Sequence, residues 1–341
     1  MVTSKTHALF FVLRRLFNSV FVLVALSLLI FFFLRAIPGD PVLTLLGEGE
    51  TTAEQYDRLK KELGLDQPLF VQYGKWLVRV GSGEFGMSIR TASPVLPLVM
   101  SKLKATIELA VAAVLLGSLL GILAGTISAV KNNSLFDNLA MVLALMGISM
   151  PVFWMGILLI ILFSVHLDWL PISGMLSMDT RLTEITGFTL VDSLLTANLP
   201  ALKDYLAHLL LPAITLGVVP TALTARTTRA SILDVVHEDY VKAGLARGLS
   251  FREALRKHVF RNAFIPVITV IGLQFGIYLG GSIVTETVFA WPGLGRLVVN
   301  AIYDRDYPVV QAAAFIYAII VVLVNLAVDL FYAYIDPRVR L

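Results

Sequence analysis

Few residues in this 341-residue chain are placed to break a bond or to hold a nucleotide. Gly74-Lys75 is its one Gly-Lys pair, and it lacks the rest of G-x-x-x-x-G-K-S/T, the loop whose amides and lysine cradle phosphates. His237-Glu238 begins like a zinc-protease helix, but Val241 stands where the second histidine would have to ligate. No G-x-S-x-G run supplies a hydrolase nucleophile. With 0 cysteines, disulfides, thiolate zinc sites, iron–sulfur clusters and thiol nucleophiles are excluded together. What remains is a set of polar residues inside apolar runs, where lipid cannot solvate a side chain and it must line a path or bond a partner. Ser149 and Trp154, either side of Pro151, are placed to shape a passage, although an aromatic on such a helix packs as readily. Gln274 and Asn325 either line a cavity or bond between helices, and Glu286, Asp329 and Glu108 fall near the ends of their runs, where solvated acids are also at home. Ser149, Trp154, Gln274 and Glu286 are taken as translocation-path residues; no catalytic, cofactor-binding or metal-binding residue is expected.

The elements that position these residues follow from composition. Hydrophobic residues make up 57% and charged residues 15% of the chain, against roughly 25% charged in a soluble domain. The mean hydropathy is +0.82. That much apolar surface outruns one water-soluble core, so the solvent is lipid and the fold class is an all-α polytopic membrane protein. A net charge of +3 points to basic cytoplasmic loops and to no nucleic-acid partner.

Six apolar runs are expected to cross, at about 16–34, 105–130, 139–165, 208–227, 263–288 and 308–334. The first follows Lys5, Arg14 and Arg15 and is too long for a signal-peptide core, so it reads as an uncleaved helix. Pro38-Gly39-Asp40-Pro41 ends it. Residues 38–104 then read as an extracytoplasmic subdomain with amphipathic helices over 51–62 and 68–80, the second bearing Phe70, Tyr73, Trp76 and Leu77. Residues 166–207 form a second polar segment, and Pro151 breaks the third run. Gly117, Gly121 and Gly125 recur at every fourth position, as do Gly272, Gly276 and Gly280, a spacing that lets another helix approach closely. Basic residues gather at the N-terminus, at Lys131, in the stretch after the fourth run and at Arg338 and Arg340, which places both termini and that stretch in the cytoplasm. The expected layout is therefore 1–37, the N-terminus and first helix; 38–104, the outer subdomain; and 105–341, a core of five further spans with a cytoplasmic loop at about 229–262.

That loop is the most informative part of the chain. It holds seven Lys/Arg (Arg229, Lys242, Arg247, Arg252, Arg256, Lys257, Arg261) against four acids (Asp234, Glu238, Asp239, Glu253). His237-Glu238-Asp239 suits a helix break followed by a new start, with acids near the positive end of the new helix. Gly248 suits its stop, and Ser250 with Glu253 matches a capping box for the next helix. A short helix thus lies between two long ones. Ala243 and Gly244 are small enough for close docking into a partner, with Tyr240 and Leu245 as apolar anchors; a solvated loop of ordinary positive-inside charge is the alternative.

The run Asp239-Tyr240-Val241-Lys242-Ala243-Gly244-Leu245-Ala246-Arg247-Gly248 resembles the EAA loop of membrane permease subunits of bacterial ABC importers. Lys242, Ala243 and Gly244 fall on the three naming positions and Gly248 on the following glycine. Lys242 departs from the usual acid, and Phe260-Arg261 from the later Leu-Pro pair. Arg261-Asn262-Ala263 instead resembles the dipeptide, oligopeptide and nickel branch. The resemblance extends through Arg14-Arg15, Pro38-Gly39-Asp40-Pro41, Leu63-Gly64-Leu65-Asp66, Gly272-Leu273-Gln274, Trp291-Pro292-Gly293-Leu294-Gly295 and Arg305-Asp306-Tyr307-Pro308.

It implies a type I importer permease fold in the bacterial inner membrane. It also implies a heterodimer with a second permease subunit, two ATPase subunits that use ATP and Mg²⁺, and an extracytoplasmic solute-binding protein. Asp239, Tyr240, Lys242, Ala243, Gly244, Leu245 and Gly248 would then couple to an ATPase. The expected function is half of a translocation pore for peptides or a related small solute. Dipeptides, longer peptides, glutathione, nickel chelates and opines all stay open as substrates. An ion-gradient-driven secondary transporter is the second reading; it needs ionisable groups near mid-membrane, whereas the acids here sit toward run ends. A membrane enzyme is the third.

Overall fold

The computed structural model describes residues 20–36, 41–46, 52–62, 64–279 and 283–335. Lys5, Arg14, Arg15, Pro38, Gly39, Asp40, Leu63, Gly280, Arg338 and Arg340 lie outside them. Regular structure among the described residues is helical, apart from one isolated bridge between Met87 and Pro94. In order the helices are α1 (Val20–Ala36), α2 (Pro41–Leu46), α3 (Ala53–Glu62), α4 (Leu69–Gly81), α5 (Val95–Val130), α6 (Leu135–Ser149) and α7 (Val152–Leu159), which widens into a π-helix at Ile160–His166. Then come α8 (Thr189–Leu195), α9 (Leu199–Val236), α10 (Asp239–Ala246), and α11 (Phe251–Ala254), which runs through a π-turn at Leu255–Val259 into α12 (Phe260–Leu279). The last are α13 (Ile283–Val288), α14 (Leu294–Tyr303) and α15 (Tyr307–Ile335). Two compact units divide the chain: Met1–Lys104 with Gly293–Leu323, and Ala105–Pro292 with Val324–Arg340.

The first unit is organised by aromatic residues. The expected stripe on α4 is present and splits in two. Tyr73 and Trp76 turn inward, where Phe31 of α1 meets Tyr73 edge-on at 5.3 Å and Phe315 of α15 meets Trp76 at 5.7 Å. Ser27 and Tyr73 share a hydroxyl hydrogen bond of 2.8 Å. Phe70 and Val78 face outward, 77% and 75% exposed. Gly83 and Gly86 then take φ of +83° and +85°, turning the chain where a side chain would be strained. The following loop is pinned by Asp306, which is buried and accepts from Ser88 Oγ at 2.5 Å and the Arg90 amide at 3.3 Å. Arg90 also pairs with Asp304.

The second unit is built on α5 and α9. A Cβ at Gly117 would lie 2.7 Å from the Gly217 carbonyl oxygen, and one at Gly121 would lie 2.7 Å from that of Thr221. Gly125 meets Ala225 in the same manner. The two backbones therefore touch over two turns, and their numbers rise together, so the helices are parallel. Between them the chain works back along α9: Asp137 stands by Arg229, Gly147 by Val218, Gly156 by Thr215, and Ser177 bonds Asp204. Parallel neighbours require that intervening return. Pro151 interrupts it, and α6 and α7 meet at 109°. A second core gathers Leu109, Tyr205, Leu209 and Trp291, whose indole Nε1 donates to the Ala105 carbonyl at 2.9 Å.

Helix lengths differ from the apolar runs. α5 begins at Val95 rather than 105, and α9 at Leu199 rather than 208. Hydropathy marks what lipid covers, whereas backbone bonding carries a helix on past Lys102, Lys104, Lys203 and Asp204. Asn198 starts α9 by accepting from the Ala201 amide at 3.1 Å. Among the described residues four helices are long and apolar enough to cross a membrane, and the bent α6–α7 pair makes a fifth if it counts as one crossing. The expectation of six is thus met in part, since the described portion of the first run is a shorter apolar helix. The protein is an all-α polytopic membrane protein.

Outside these spans, α8 is anchored through a carboxylate. Asp192 is 1% exposed and accepts from Thr186 Oγ1 at 2.6 Å and from the amides of Thr186, Gly187 and Ile185 at 2.7, 2.9 and 3.1 Å. Burial pushes its carboxyl up, but these donors outweigh it and hold the group below the usual aspartate range.

Gly121→Leu should destabilise the detergent-purified protein by at least about 1–3 kcal/mol, because the added carbons meet backbone that cannot yield. Gly74→Ala, with no atom within 4 Å of the new Cβ, should be neutral or slightly stabilising. Thermal unfolding of the two variants checks this; equal midpoints would remove the glycine stripe from the packing.

Candidate functional site

The loop between α9 and α12 is ordered by local chemistry. α9 stops at Val236, and Glu238 takes extended geometry at φ −69° and ψ 145° before α10 starts. Gly248 ends the turn after α10 at φ +94°, the left-handed region that glycine enters without a Cβ penalty. The capping box is formed in both directions: Ser250 Oγ accepts from the Glu253 amide at 3.4 Å, and Glu253 Oε2 accepts from the Ser250 amide at 3.0 Å.

α10 has two faces. Val241, 1% exposed, drops into a cluster with Ala129, Ile232, Ala254, Leu255, Val259 and Ala263, and Leu245 packs beside it. Gly244 is on the same inner face, where a Cβ would lie 3.2 Å from Leu249 Cδ1. Tyr240 is half-exposed; its ring meets His258 edge-on at 6.4 Å, and its hydroxyl accepts from Asn262 Nδ2 at 2.9 Å. Asp239, Lys242, Ala243 and Ala246 are exposed together, at positions one helical turn apart. Lys242 Nζ and Asp239 Oδ1 pair at 3.1 Å in solvent, which adds little stability. The surface read from the sequence is therefore redrawn: Gly244 and Leu245 hold α10 to its own chain, while Ala243 lies on the open side.

A charge pair that sequence reasoning missed supports this platform. Asp137, 1% exposed, accepts from Arg229 Nε at 2.6 Å and Nη2 at 2.8 Å; Arg229 Nη2 also reaches Asn132 Oδ1 at 2.9 Å. The fork ties the α5–α6 turn to α9 about two turns before α9 ends. Its only sequence signal is a lone aspartate in the first turn of an apolar helix. Asp137 also accepts the Asn133 amide at 3.0 Å, so the buried carboxylate is well satisfied.

The path residues fall in three environments. Ser149 and Trp154 are exposed on opposite sides of the 109° bend, with Ser149 Oγ turned back to the Leu145 carbonyl at 2.9 Å. Gln274 on α12 is 8% exposed. Glu286 is fully enclosed and accepts from Thr106 Oγ1 at 2.8 Å. Asn325 Oδ1 lies 3.6 Å from the place a Cβ on Gly276 would take, so Gly276 of the second glycine series meets α15. Glu108, nearly buried, accepts from the Leu190 amide at 2.8 Å and caps the first turn of α8. An apolar cavity of about 550 Å³ lies between α5, α6 and α9, lined by residues such as Leu120, Phe136, Leu143 and Val218, and by none of the four expected path residues.

Comparison with known proteins places this geometry. Residues 117–341 match the family described as binding-protein-dependent transport system inner membrane component, and residues 8–110 match its N-terminal membrane-component region. The chain belongs to this family. It is 43% identical over 333 residues to the dipeptide transport system permease DppB of Escherichia coli K12, covering 97% of this chain and 98% of that one. The di/tripeptide permease DppB of Pseudomonas aeruginosa is 43% identical over 330 residues, covering 97% and 98%. The glutathione permease GsiC of Escherichia coli K12 is 40% identical with the same coverage. A crystal structure of an amino acid ABC transporter with histidines shares the fold, at TM-score 0.51 and 17% identity, covering 70% of this chain and 94% of that one. This permease is thus a transport subunit of an ABC-type importer, and family membership sets aside the ion-gradient and enzyme readings.

Removing Arg229 should cost about 3–5 kcal/mol, since the enclosed Asp137 carboxylate is left uncompensated. Removing Asp137 should cost less, since Arg229 is partly open to solvent and keeps Asn132. Removing both should cost less than the two single losses together. A double-mutant cycle on Asp137→Ala and Arg229→Ala by thermal unfolding measures the coupling; strict additivity would mean the pair does not act as a unit.

Proposed function

We propose that this permease forms half of the translocation pore of an ATP-driven importer for dipeptides or closely related peptides, and that α10 is its contact with a separate ATPase. The observation that carries the reading is the division of α10. Val241 and Gly244 seat it on α5, α9 and the start of α12, while Asp239, Lys242, Ala243 and Ala246 stand open. A helix of 8 residues held only on one side suits a partner groove on the other. Tyr240 and Gly248 fix its tilt and its end; Leu245 anchors it. The dipeptide assignment rests on the names of the relatives at 43% identity; glutathione, at 40%, follows.

On this reading the chain crosses six times with both termini in the cytoplasm. The parallel register of α5 and α9 supports one net crossing by the α6–α7 pair, and α1 with its preceding basic residues supplies the first. Residues 38–104 form an extracytoplasmic subdomain facing the solute-binding protein. The assembly holds a second permease subunit and two ATPases. ATP binding draws the ATPases together, α10 carries that motion into α9 and α12, and the pore opens outward to receive solute. ATP can shift this equilibrium only by binding the closed ATPase pair more tightly. Ser149 and Trp154, at the bend, are the path residues this geometry favours.

Ala243→Glu should abolish co-purification of the ATPases and cut uptake at least about tenfold, with membrane insertion and monomer stability unchanged. Wild-type assembly would remove the outer face of α10 as the contact. Gly244→Glu is the weaker probe, since it disturbs the inner face as well. A cysteine at Ser250 should react with a membrane-impermeant thiol reagent only in inverted vesicles; labelling in right-side-out vesicles would overturn the topology.

A further inference from the structure

Within the first unit a cavity of about 370 Å³ opens between the last turn of α1, α4, the loop at 84–89 and the first turn of α15. Among the described residues its charge is one-sided: Arg35, Lys75 and Arg79 line it against one carboxylate, Glu84. Arg35 is already fixed: its Nε donates to Gln72 Oε1 at 3.1 Å, its Nη1 to the Phe31 carbonyl at 3.3 Å, and its guanidinium lies 3.4 Å over the Phe31 ring. Lys75 and Arg79 stand one helical turn apart, and neither has an acid partner among the described residues. Gln311 also lines the cavity; it is 4% exposed, and its Nε2 donates to nothing among the described residues. A buried orphan donor is costly unless something accepts from it.

The position of the cavity selects the ligand. It lies where two apolar helices, α1 and α15, reach their ends, which is headgroup depth for a membrane protein. The outer side of α4 displays Phe70, Val71, Leu77 and Val78 at 38–77% exposure, beside the cationic side that faces the cavity. An amphipathic helix with cations on one flank and large apolar residues on the other suits the boundary between headgroups and acyl chains. A soluble anion would use the cations and leave that apolar wall idle.

We infer that this cavity holds the phosphate headgroup of an acidic membrane phospholipid, with Arg35, Lys75, Arg79 and Gln311 as donors and an acyl chain lying along the exposed face of α4. The site is separate from α10 and does not depend on which solute the importer carries.

The test uses the importer complex purified from membranes, stripped of lipid and reloaded with phosphatidylglycerol or phosphatidylcholine, with bound lipid counted by native mass spectrometry. Wild type should retain phosphatidylglycerol in preference. Lys75→Gln with Arg79→Gln should lower that retention about 25-fold, at about fivefold per cation, and bring it level with phosphatidylcholine. Gln311→Met, which keeps the side-chain volume, should lower it about fivefold and guards against misfolding of the double variant. Equal retention of the two lipids by wild type, or wild-type retention by both variants, would overturn the proposal. Displacement of the lipid by millimolar inorganic phosphate would assign the site to a free anion and overturn the lipid source.

Discussion

The second unit depends on the contact between the backbones of α5 and α9. Lipid gives two apolar helices no reason to associate, so they must gain from packing at short range. Gly117 and Gly121 stand against Gly217 and Thr221, where a Cβ would come within 2.7 Å of carbonyl oxygen. That match admits one register. It brings Arg229 opposite Asp137, and it places Ala129 of α5 beside Ile232 of α9 in the cluster that receives Val241. A slip of either helix by one residue would rotate the glycines out of the contact and pull the arginine from its acid. The charge pair and the seat of α10 are consequences of a helix contact that begins about three turns earlier, at Gly117 and Gly217.

How much of this was legible in the sequence depends on the kind of interaction. Local signals were readable because their partners lie within a few residues: Ser250 with Glu253, Gly248 as a stop, and the break at His237. The stripe at Gly117, Gly121 and Gly125 announced a close neighbour but not which one, because Gly217 is a single glycine between two prolines and carries no repeat of its own. The ends of α5 and α9 were missed because hydropathy falls at the lipid boundary, not where backbone hydrogen bonding ends. Pro151 marked a break, while the size of the bend depends on what α6 and α7 pack against. Asp137 and Arg229 are 92 residues apart, and nothing local joins them.

The polar residues inside the spans teach a related lesson. Their presence in an apolar run is visible, but their direction is not. Glu286 and Ser149 look alike on a hydropathy trace, yet one is enclosed against Thr106 and the other is exposed at a bend. Glu108 resembles a pore acid and instead caps α8. A carboxylate inside a membrane protein needs donors. Here Glu286 takes one from a threonine hydroxyl and Glu108 takes one from the Leu190 amide through Oε1, while Glu108 Oε2 is buried without a partner among the described residues.

The same reasoning bears on how α10 would transmit force. A loop that merely touched a partner would absorb a displacement by changing its own dihedral angles. α10 has little room to do so. Its inner face is locked at Val241 and Gly244, Tyr240 is tied to Asn262 on α12, and the capping box begins the next helix four residues after α10 ends. Movement of its outer face must therefore pass to the helices beneath it. The exposed side presents two small residues, Ala243 and Ala246, and the Asp239–Lys242 pair. Lys242 Nζ and Asp239 Oδ1 pair at 3.1 Å, so that rim carries no net charge.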